Sequence, residues 1–117
     1  MKDLEELRLA LREFAHARDW EPFHTPKNLS SALMVEAAEV AEHFQWLTGE
    51  QSAAPDAEKR AAVALELADV LIYLVRLADR LDIDLLAAAR RKLDLNETRY
   101  PAEKVRGSAR KYDEYGG

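Results

Sequence analysis

The 117-residue chain contains no cysteine, and it has only 4 glycines and 4 prolines. The lack of cysteine excludes disulfides, thiolate zinc sites and cysteine nucleophiles. The longest apolar run, VLIYLV at 70–75, is far too short to cross a bilayer, and the acidic, amphipathic N-terminus lacks the apolar core of a signal peptide. We therefore expect a cytoplasmic protein without a membrane partner.

Basic residues are outnumbered by acidic ones, and the formal net charge is -5. This balance argues against binding to nucleic acid polymers, whose protein partners are usually basic. It allows a nucleotide whose phosphates arrive with a metal ion. Alanine, leucine, glutamate and arginine dominate the composition, which favours helix over strand. The length predicts a single domain over residues 1–117, with an extended basic tail from about residue 100.

Apolar residues at helical spacing predict an all-α fold of four helices. The helices are expected over about residues 2–18, from Ser30 or Ser31 to Leu47, over 57–81, and from Asp84 to about Thr98. Either serine can cap the second helix and Gly49 can end it, while Asp56 and Asp84 can cap the third and fourth. Residues 19–28 are predicted to form a structured loop, and 48–57 a polar turn.

The third predicted helix is apolar around most of its circumference. A four-helix bundle of this length has a thin core, so such a helix is expected at the centre or at a subunit interface. We therefore predict that oligomerisation completes the bundle.

Four carboxylates interrupt the two most apolar helices. Glu36 and Glu39 lie in the second helix, and Glu66 and Asp69 lie in the third. Each pair is spaced i, i+3, so its two members share one helix face. Buried carboxylates are costly and repel one another, and a cation between them offsets both costs. The alternative is that these acids face solvent and pair with lysine or arginine; two pairs in apolar contexts favour the metal site.

An all-carboxylate ligand set suits a hard cation such as Mg²⁺, with Mn²⁺ as a substitute, and matches zinc or copper poorly. A di-iron centre needs Glu-x-x-His on two helices. The only histidine near the pairs is His43, four residues after Glu39, so a di-iron centre is not expected. A carboxylate that the metal does not fully use can orient or deprotonate an attacking water, and Glu39 is our candidate for that base.

Two further groups of residues are candidates for binding a nucleotide. The aromatic group comprises Trp20, Phe23, Trp46 and Tyr73, with His24 next to Phe23. Aromatic walls commonly stack on bases, although the spacing equally allows plugs at the ends of a small core. Lys92 and Asn96 are spaced i, i+4 on the fourth helix and are candidates for contacts to a triphosphate. A basic helix C-terminus is also what the helix dipole favours.

Several stretches of the chain resemble one family. The E-x-x-E of the second helix followed by the E-x-x-D of the third resembles the all-α NTP pyrophosphohydrolases of the MazG type. The dCTP pyrophosphatase branch of that family is similar to this chain over RDWEPFHTPKNL at 18–29, VEAAEVAEHFQW at 35–46, ELADVLIYLVRLA at 66–78 and KLDLNETRYP at 92–101. RGSARKY at 106–112 extends the similarity into the tail, so the resemblance covers nearly the whole chain.

The resemblance implies Mg²⁺-dependent hydrolysis of a (deoxy)nucleoside triphosphate, such as dCTP or a modified dCTP, to the monophosphate and pyrophosphate. It implies nucleotide-pool sanitation as the role, and a dimer or tetramer whose pockets are built from more than one subunit. It also implies that the four carboxylates are catalytic metal ligands. The nucleotide contacts that it implies are those of Trp46, Tyr73 and the loop at 20–24, which contains Trp20, Glu21, Phe23 and His24.

One position departs from that pattern. The first helix of the animal members offers a histidine to the base or sugar, whereas this chain has Leu11 there. The base preference therefore stays open, with a broad or dUTP-preferring house-cleaning enzyme as the alternative. A non-catalytic nucleotide-binding module and a purely structural helical adaptor are the other readings, and the intact set of four acids favours an enzyme over both.

Overall fold

The computed structural model describes residues 1–109, which form helices and no strand, so the predicted all-α fold is confirmed. The helices are α1 (Leu4–Ala17), α2 (Pro26–Glu42), α3 (Gly49–Ser52), α4 (Ala57–Arg80), α5 (Leu85–Arg99) and α6 (Ala102–Val105), with a short 3-10 helix at Glu21–Phe23. None of the helices within this part of the chain has the length and hydropathy needed to cross a membrane.

The chain divides into two compact units, of which the first is Met1–Ile83 and the second begins at Asp84. In the first unit α4 packs along α2 and also against α1. The second unit contains α5 and α6, and α6 is a helical turn within the predicted tail. Two of the basic tail residues, Arg110 and Lys111, lie outside the described residues.

The apolar core of the first unit is small. Its fully buried apolar side chains are Ala15, Leu29, Val75 and Ala78. By contrast Leu67, Leu71 and Leu74 are 53%, 40% and 37% exposed, although their i, i+4, i+7 spacing on α4 makes one continuous stripe. A single copy of the chain therefore leaves an apolar stripe of α4 partly exposed.

Aspartate caps begin three of the four long helices. Asp3, Asp56 and Asp84 each accept a hydrogen bond from the backbone N–H three residues further along. This bond satisfies one of the free donors in the first helical turn. The predicted caps at Asp56 and Asp84 are therefore confirmed, and α4 and α5 begin where the sequence predicts.

Helix α2 begins four residues before Ser30, earlier along the chain than the sequence predicts. Its cap is Thr25, whose hydroxyl accepts from the backbone N–H of Asn28, and Pro26 occupies the first helical position. Proline fits there because its fixed φ is helical and its missing N–H would be unpaired anyway. Ser30 lies within the helix, where its hydroxyl donates to the carbonyl oxygen of Lys27. The predicted cap at Ser30 or Ser31 is therefore wrong.

The end of α2 was also misplaced. The helix stops at Glu42, five residues before Leu47. Gly49 does not end it but begins α3, because Thr48 and Gln51 form a reciprocal capping box that starts a new helical turn. The predicted polar turn after α2 therefore contains a helix of its own.

Two aspartates end α1 and α4 in place of the usual glycine. Asp19 and Asp82 have φ values of 52° and 55°, in the left-handed region that a helix C-terminus often requires. After α1, the N–H of Trp20 bonds to the carbonyl of Ala15, and that of Asp19 bonds to His16. This Schellman pattern satisfies the last carbonyls of α1, and it fixes where the chain turns into the loop that starts at Trp20.

The cap at Thr25 gives a stability prediction. Thr25→Ala removes the acceptor for the Asn28 N–H, and we expect it to lower the free energy of unfolding by about 1 kcal/mol. Ser30→Ala is the matched control and should change stability little, because Ser30 lies inside the helix and alanine is the better helix former. Urea denaturation followed by circular dichroism measures both. Equal losses in the two variants would contradict the assigned helix start.

Candidate active site

Three of the four predicted carboxylates meet where α2 packs along α4. Glu36, Glu39 and Glu66 are half-buried, and one carboxylate oxygen of each lies within 4.8 Å of those of the other two. On α2 the two glutamates continue the inward face that begins at Leu29, about two and three turns further along. Packing of the two helices therefore forces like charges together.

The electrostatics of this carboxylate cluster are unfavourable without a counter-charge. Burial, followed by the adjacent carboxyl of Glu39, raises the pKa of Glu36. Interaction with Glu39, followed by burial, raises the pKa of Glu66 in the same direction. One oxygen of each of these two residues, Oε2, is buried and has no hydrogen-bond partner. Buried orphan carboxylate oxygens are costly, and they are suitable ligands for a cation.

Within the first unit, no lysine or arginine forms an ion pair with the carboxylate cluster. The ion pairs of Met1–Ile83 involve other acids, and none of them involves Glu36, Glu39, Glu66 or Asp69. The nearest lysine on α4, Lys59, donates instead to the backbone oxygen of His43 at 3.1 Å. The alternative that these acids face solvent and pair with lysine or arginine therefore does not describe this arrangement.

Asp69 lies one turn beyond Glu66 on α4 and outside the group of three. Its charge still contributes to the raised pKa of Glu36 and of Glu66. Asp69 also lines a cavity of about 260 Å³. The other lining residues are Leu11, Phe14, Trp20, His24, Ile72, Tyr73 and Arg76. This aromatic pocket therefore lies next to the carboxylate cluster, with Asp69 between them.

Contacts between aromatic rings hold the walls of the aromatic pocket in place. Phe14 meets Trp20 edge-on, with ring centroids 5.7 Å apart, and Trp20 meets His24 at 5.9 Å. The guanidinium of Arg18 lies 3.6 Å from the centre of the Phe14 ring. Flat apolar rings with a few polar groups are typical of pockets for aromatic ligands. The structure thus brings Trp20, His24 and Tyr73 together.

Sequence reasoning missed two members of this pocket. These are Phe14 on α1 and Arg76 on α4, neither of which the sequence marks as a candidate for binding. Arg76 is 4% exposed and interrupts the apolar run of α4, and that isolated charge was the available signal. The side chain of Asp79, another acid of α4, is only 5% exposed and pairs with Arg8, Arg12 and Arg76.

Three other predicted nucleotide contacts of the first unit, Glu21, Phe23 and Trp46, do not line the aromatic pocket. Glu21 pairs with His16 at 3.0 Å and lines a separate charged cavity. Phe23 is 67% exposed and Trp46 is 88% exposed, and neither lines the pocket. Lys92 and Asn96 lie one turn apart on α5, in the second unit, where Lys92 is exposed and Asn96 half-buried. Their part in binding stays a prediction.

The chain is similar to proteins of one family. The MazG-like family model matches residues 32–115. Human dCTP pyrophosphatase 1 is 51% identical over 115 residues, and rat dCTP pyrophosphatase 1 is 50% identical over 113. These matches cover 95% and 93% of this chain but 66% and 65% of the relatives, so the chain spans slightly less than two thirds of their length.

A solved structure is similar in both fold and sequence. The crystal structure of a pyrophosphatase from Archaeoglobus fulgidus superimposes with a TM-score of 0.67 and is 39% identical. The match covers 83% of this chain and 91% of that one. The part of the chain that the family model matches contains all four carboxylates of the two helix pairs. The chain therefore belongs to the MazG-like family.

Proposed function

We propose that this protein is a nucleoside triphosphate pyrophosphohydrolase that converts dCTP to dCMP and pyrophosphate. The observation that carries the proposal is the cluster of Glu36, Glu39 and Glu66 beside an aromatic pocket of base-binding character. The cluster supplies ligands for a cation that holds phosphates, and the pocket supplies stacking surfaces. The mammalian relatives are dCTP pyrophosphatases by name, and the archaeal relative is a pyrophosphatase.

The cation is Mg²⁺ in this proposal, and the donor set fits it. Glu36, Glu39 and Glu66 would hold it together with Asp69, and all of these ligands are hard oxygen donors. The two orphan oxygens, Oε2 of Glu36 and Oε2 of Glu66, are the best indication that a cation belongs here. When bound, the ion neutralises charge on the triphosphate and on the leaving pyrophosphate. Mn²⁺ has the same preference for oxygen and is expected to substitute.

The chain's own carboxylates also prepare the attacking water. Hydrolysis to the monophosphate breaks the bond between the α- and β-phosphates, and the water must lose a proton as it attacks. Glu39 adjoins both Glu36 and Glu66, and we assign it the role of holding that water and accepting its proton. The base is held on the other side of Asp69, where Trp20 and Tyr73 line the pocket.

A pyrophosphate-release screen tests this proposal. The four canonical dNTPs, dUTP and 5-modified dCTP are each incubated with the protein in Mg²⁺ and in EDTA. We expect release from dCTP in Mg²⁺ and none in EDTA. Equal rates on several nucleotides would favour a broad house-cleaning enzyme, and the highest rate on dUTP would favour a dUTP-preferring one. Stabilisation of the fold by dNTP and Mg²⁺ without release would identify a nucleotide-binding module instead.

We further propose that the working form is a homodimer or homotetramer. The apolar stripe of Leu67, Leu71 and Leu74 on α4 is exposed in one copy, and so are Met34 and Val35 on α2. Exposed apolar stripes of this kind are usually covered by another subunit. A second copy also gives Trp46, which is 88% exposed here, a partner surface. A cytoplasmic location and a role in nucleotide-pool sanitation stay predictions.

Light scattering tests the oligomer. We expect a mass of two or four times 13.3 kDa at micromolar concentration. Leu71→Lys should shift the protein towards the monomer, because it places a charge in the centre of the apolar stripe. Leu9→Lys is the matched control on α1, where Leu9 is also exposed but lies off the stripe. A monomeric wild type would contradict the proposal.

A further inference from the structure

The side chain of Arg76, on α4, is buried and donates two hydrogen bonds. It is 4% exposed. Its Nε donates to Nδ1 of His24 at 3.0 Å, and one terminal nitrogen donates to Asp79 at 3.3 Å. A guanidinium has only donors, so Nδ1 of His24 must be the acceptor. The hydrogen bond from Arg76 therefore decides which ring nitrogen carries the proton.

The ring of His24 is left with a single polar group to offer. Burial, followed by the charges of Arg76 and Arg80, lowers the pKa of His24, so the imidazole is neutral near pH 7. A neutral ring that accepts at Nδ1 carries its proton on Nε2. That nitrogen has no hydrogen-bond partner among the described residues, and the ring lines the aromatic pocket. His24 is thus an unused N–H donor at a mainly apolar pocket.

The backbone around His24 is held to the same helix. Arg80, one turn after Arg76, donates its Nε to the carbonyl oxygen of His24 at 3.1 Å. The N–H of His24 closes a turn onto the carbonyl of Trp20, also at 3.1 Å. Two arginines of α4 therefore fix the main chain and the side chain of His24, and the orientation of the ring is set before any ligand arrives.

We propose that Arg76 is a positioning residue for base recognition, which holds His24 as an Nε2–H donor to a carbonyl oxygen of a pyrimidine base. The proposal rests on the proposed function, since it assumes that the aromatic pocket takes the base. Cytosine, uracil and thymine share a ring carbonyl next to the glycosidic nitrogen, whereas adenine has no carbonyl. A pocket built around one donor binds the matching acceptor and rejects bases that leave the donor unpaired.

The protonation of the ring can be measured without turnover. Long-range ¹H–¹⁵N correlation of the His24 ring in the free protein reports which nitrogen bears the proton. We expect the Nε2–H form in the wild type and a mixture of both neutral forms in Arg76→Met, which removes the donor at similar volume. Asp79 keeps Arg8 and Arg12 as partners in that variant. Arg76→Lys retains a donor and should restore the Nε2–H form in part.

Kinetics then test whether this positioning serves the base. We expect Arg76→Met to raise the KM for dCTP and for dUTP about tenfold and to leave kcat within about twofold. The reason is that the lost contact stabilises the bound ground state and the transition state by the same amount. The inhibition constant of dATP should not change. In a His24→Ala background Arg76→Met should have no further effect, since the two residues act as one unit. Arg60→Met, at an exposed position of α4, is the control.

The outcomes separate this inference from the proposed function. A wild-type protein that releases no pyrophosphate from any dNTP would remove the proposed function, and the ring measurement would still decide the role of Arg76. A wild-type ring protonated at Nδ1 would overturn the inference. So would a KM for dCTP that Arg76→Met leaves unchanged in an active protein, or effects of the Arg76 and His24 variants that simply add.

Discussion

Glu36→Gln is expected to reduce pyrophosphate release from dCTP by a factor on the order of a thousand or more, because it removes a charged ligand from the carboxylate cluster. The fold should survive, since Glu36 is half-buried and glutamine has nearly the same shape. In EDTA the variant should even unfold at a higher temperature than the wild type. The reason is that it removes one of three repelling carboxylates and a charged orphan oxygen.

Two measurements check this prediction, namely steady-state pyrophosphate release in Mg²⁺ and thermal unfolding with and without Mg²⁺. Mg²⁺ should stabilise the wild type and have little effect on Glu36→Gln, because a ligand stabilises only the state that binds it. Glu42→Gln, at an exposed position of α2, is the matched control and should behave like the wild type. Activity of Glu36→Gln within tenfold of the wild type would contradict the site assignment.

Asp79→Asn is expected to destabilise the fold by about 3 kcal/mol, because it breaks a buried ion pair and leaves charge uncompensated. Asp79 accepts from Arg8 at 2.8 Å, from Arg12 at 2.6 Å and from Arg76 at 3.3 Å, and so it ties α1 to α4. Arg76 would keep its positive charge in a buried position without a carboxylate. Chemical denaturation measures the loss, with Glu13→Gln on the exposed face of α1 as control.

The same residue predicts how stability depends on pH. Burial alone would raise the pKa of Asp79, but hydrogen bonds from Arg12 and Arg8 outweigh it and lower the pKa. A carboxyl with a lowered pKa stabilises the fold above its unfolded value of about 4, and this contribution is lost as the pH falls further. Asp79→Asn should therefore flatten the acid limb of the stability curve. An unchanged acid limb would show that the ion pairs contribute nothing measurable.

Local signals in the sequence located most helix boundaries, and the errors came from competing local signals. The predicted caps Asp56 and Asp84 are correct, and each accepts from the backbone N–H three residues further along. At α2, Ser30 is a good capping residue, yet Thr25 followed by Pro26 starts the helix five residues earlier. Glycine often ends a helix, but here the capping box of Thr48 and Gln51 makes Gly49 the first residue of α3.

The carboxylate cluster could be predicted because its signal lies within each helix. The i, i+3 spacing places Glu36 with Glu39 on one face, and packing of two apolar helices brings Glu66 to them. The partner of Arg76 could not be predicted in this way, since His24 lies 52 positions away and only the fold joins them. The burial of Asp79 could not be predicted for the same reason, because the two arginines that cover it, Arg8 and Arg12, come from α1.

The products formed from dCTP test the central claim most directly. We predict equal amounts of dCMP and pyrophosphate in Mg²⁺, no product in EDTA, and recovery when Mg²⁺ is added back. We expect this result because the carboxylate cluster holds the cation while the aromatic pocket holds the nucleotide. Intact dCTP after incubation with Mg²⁺, or release of orthophosphate in place of pyrophosphate, would contradict the account.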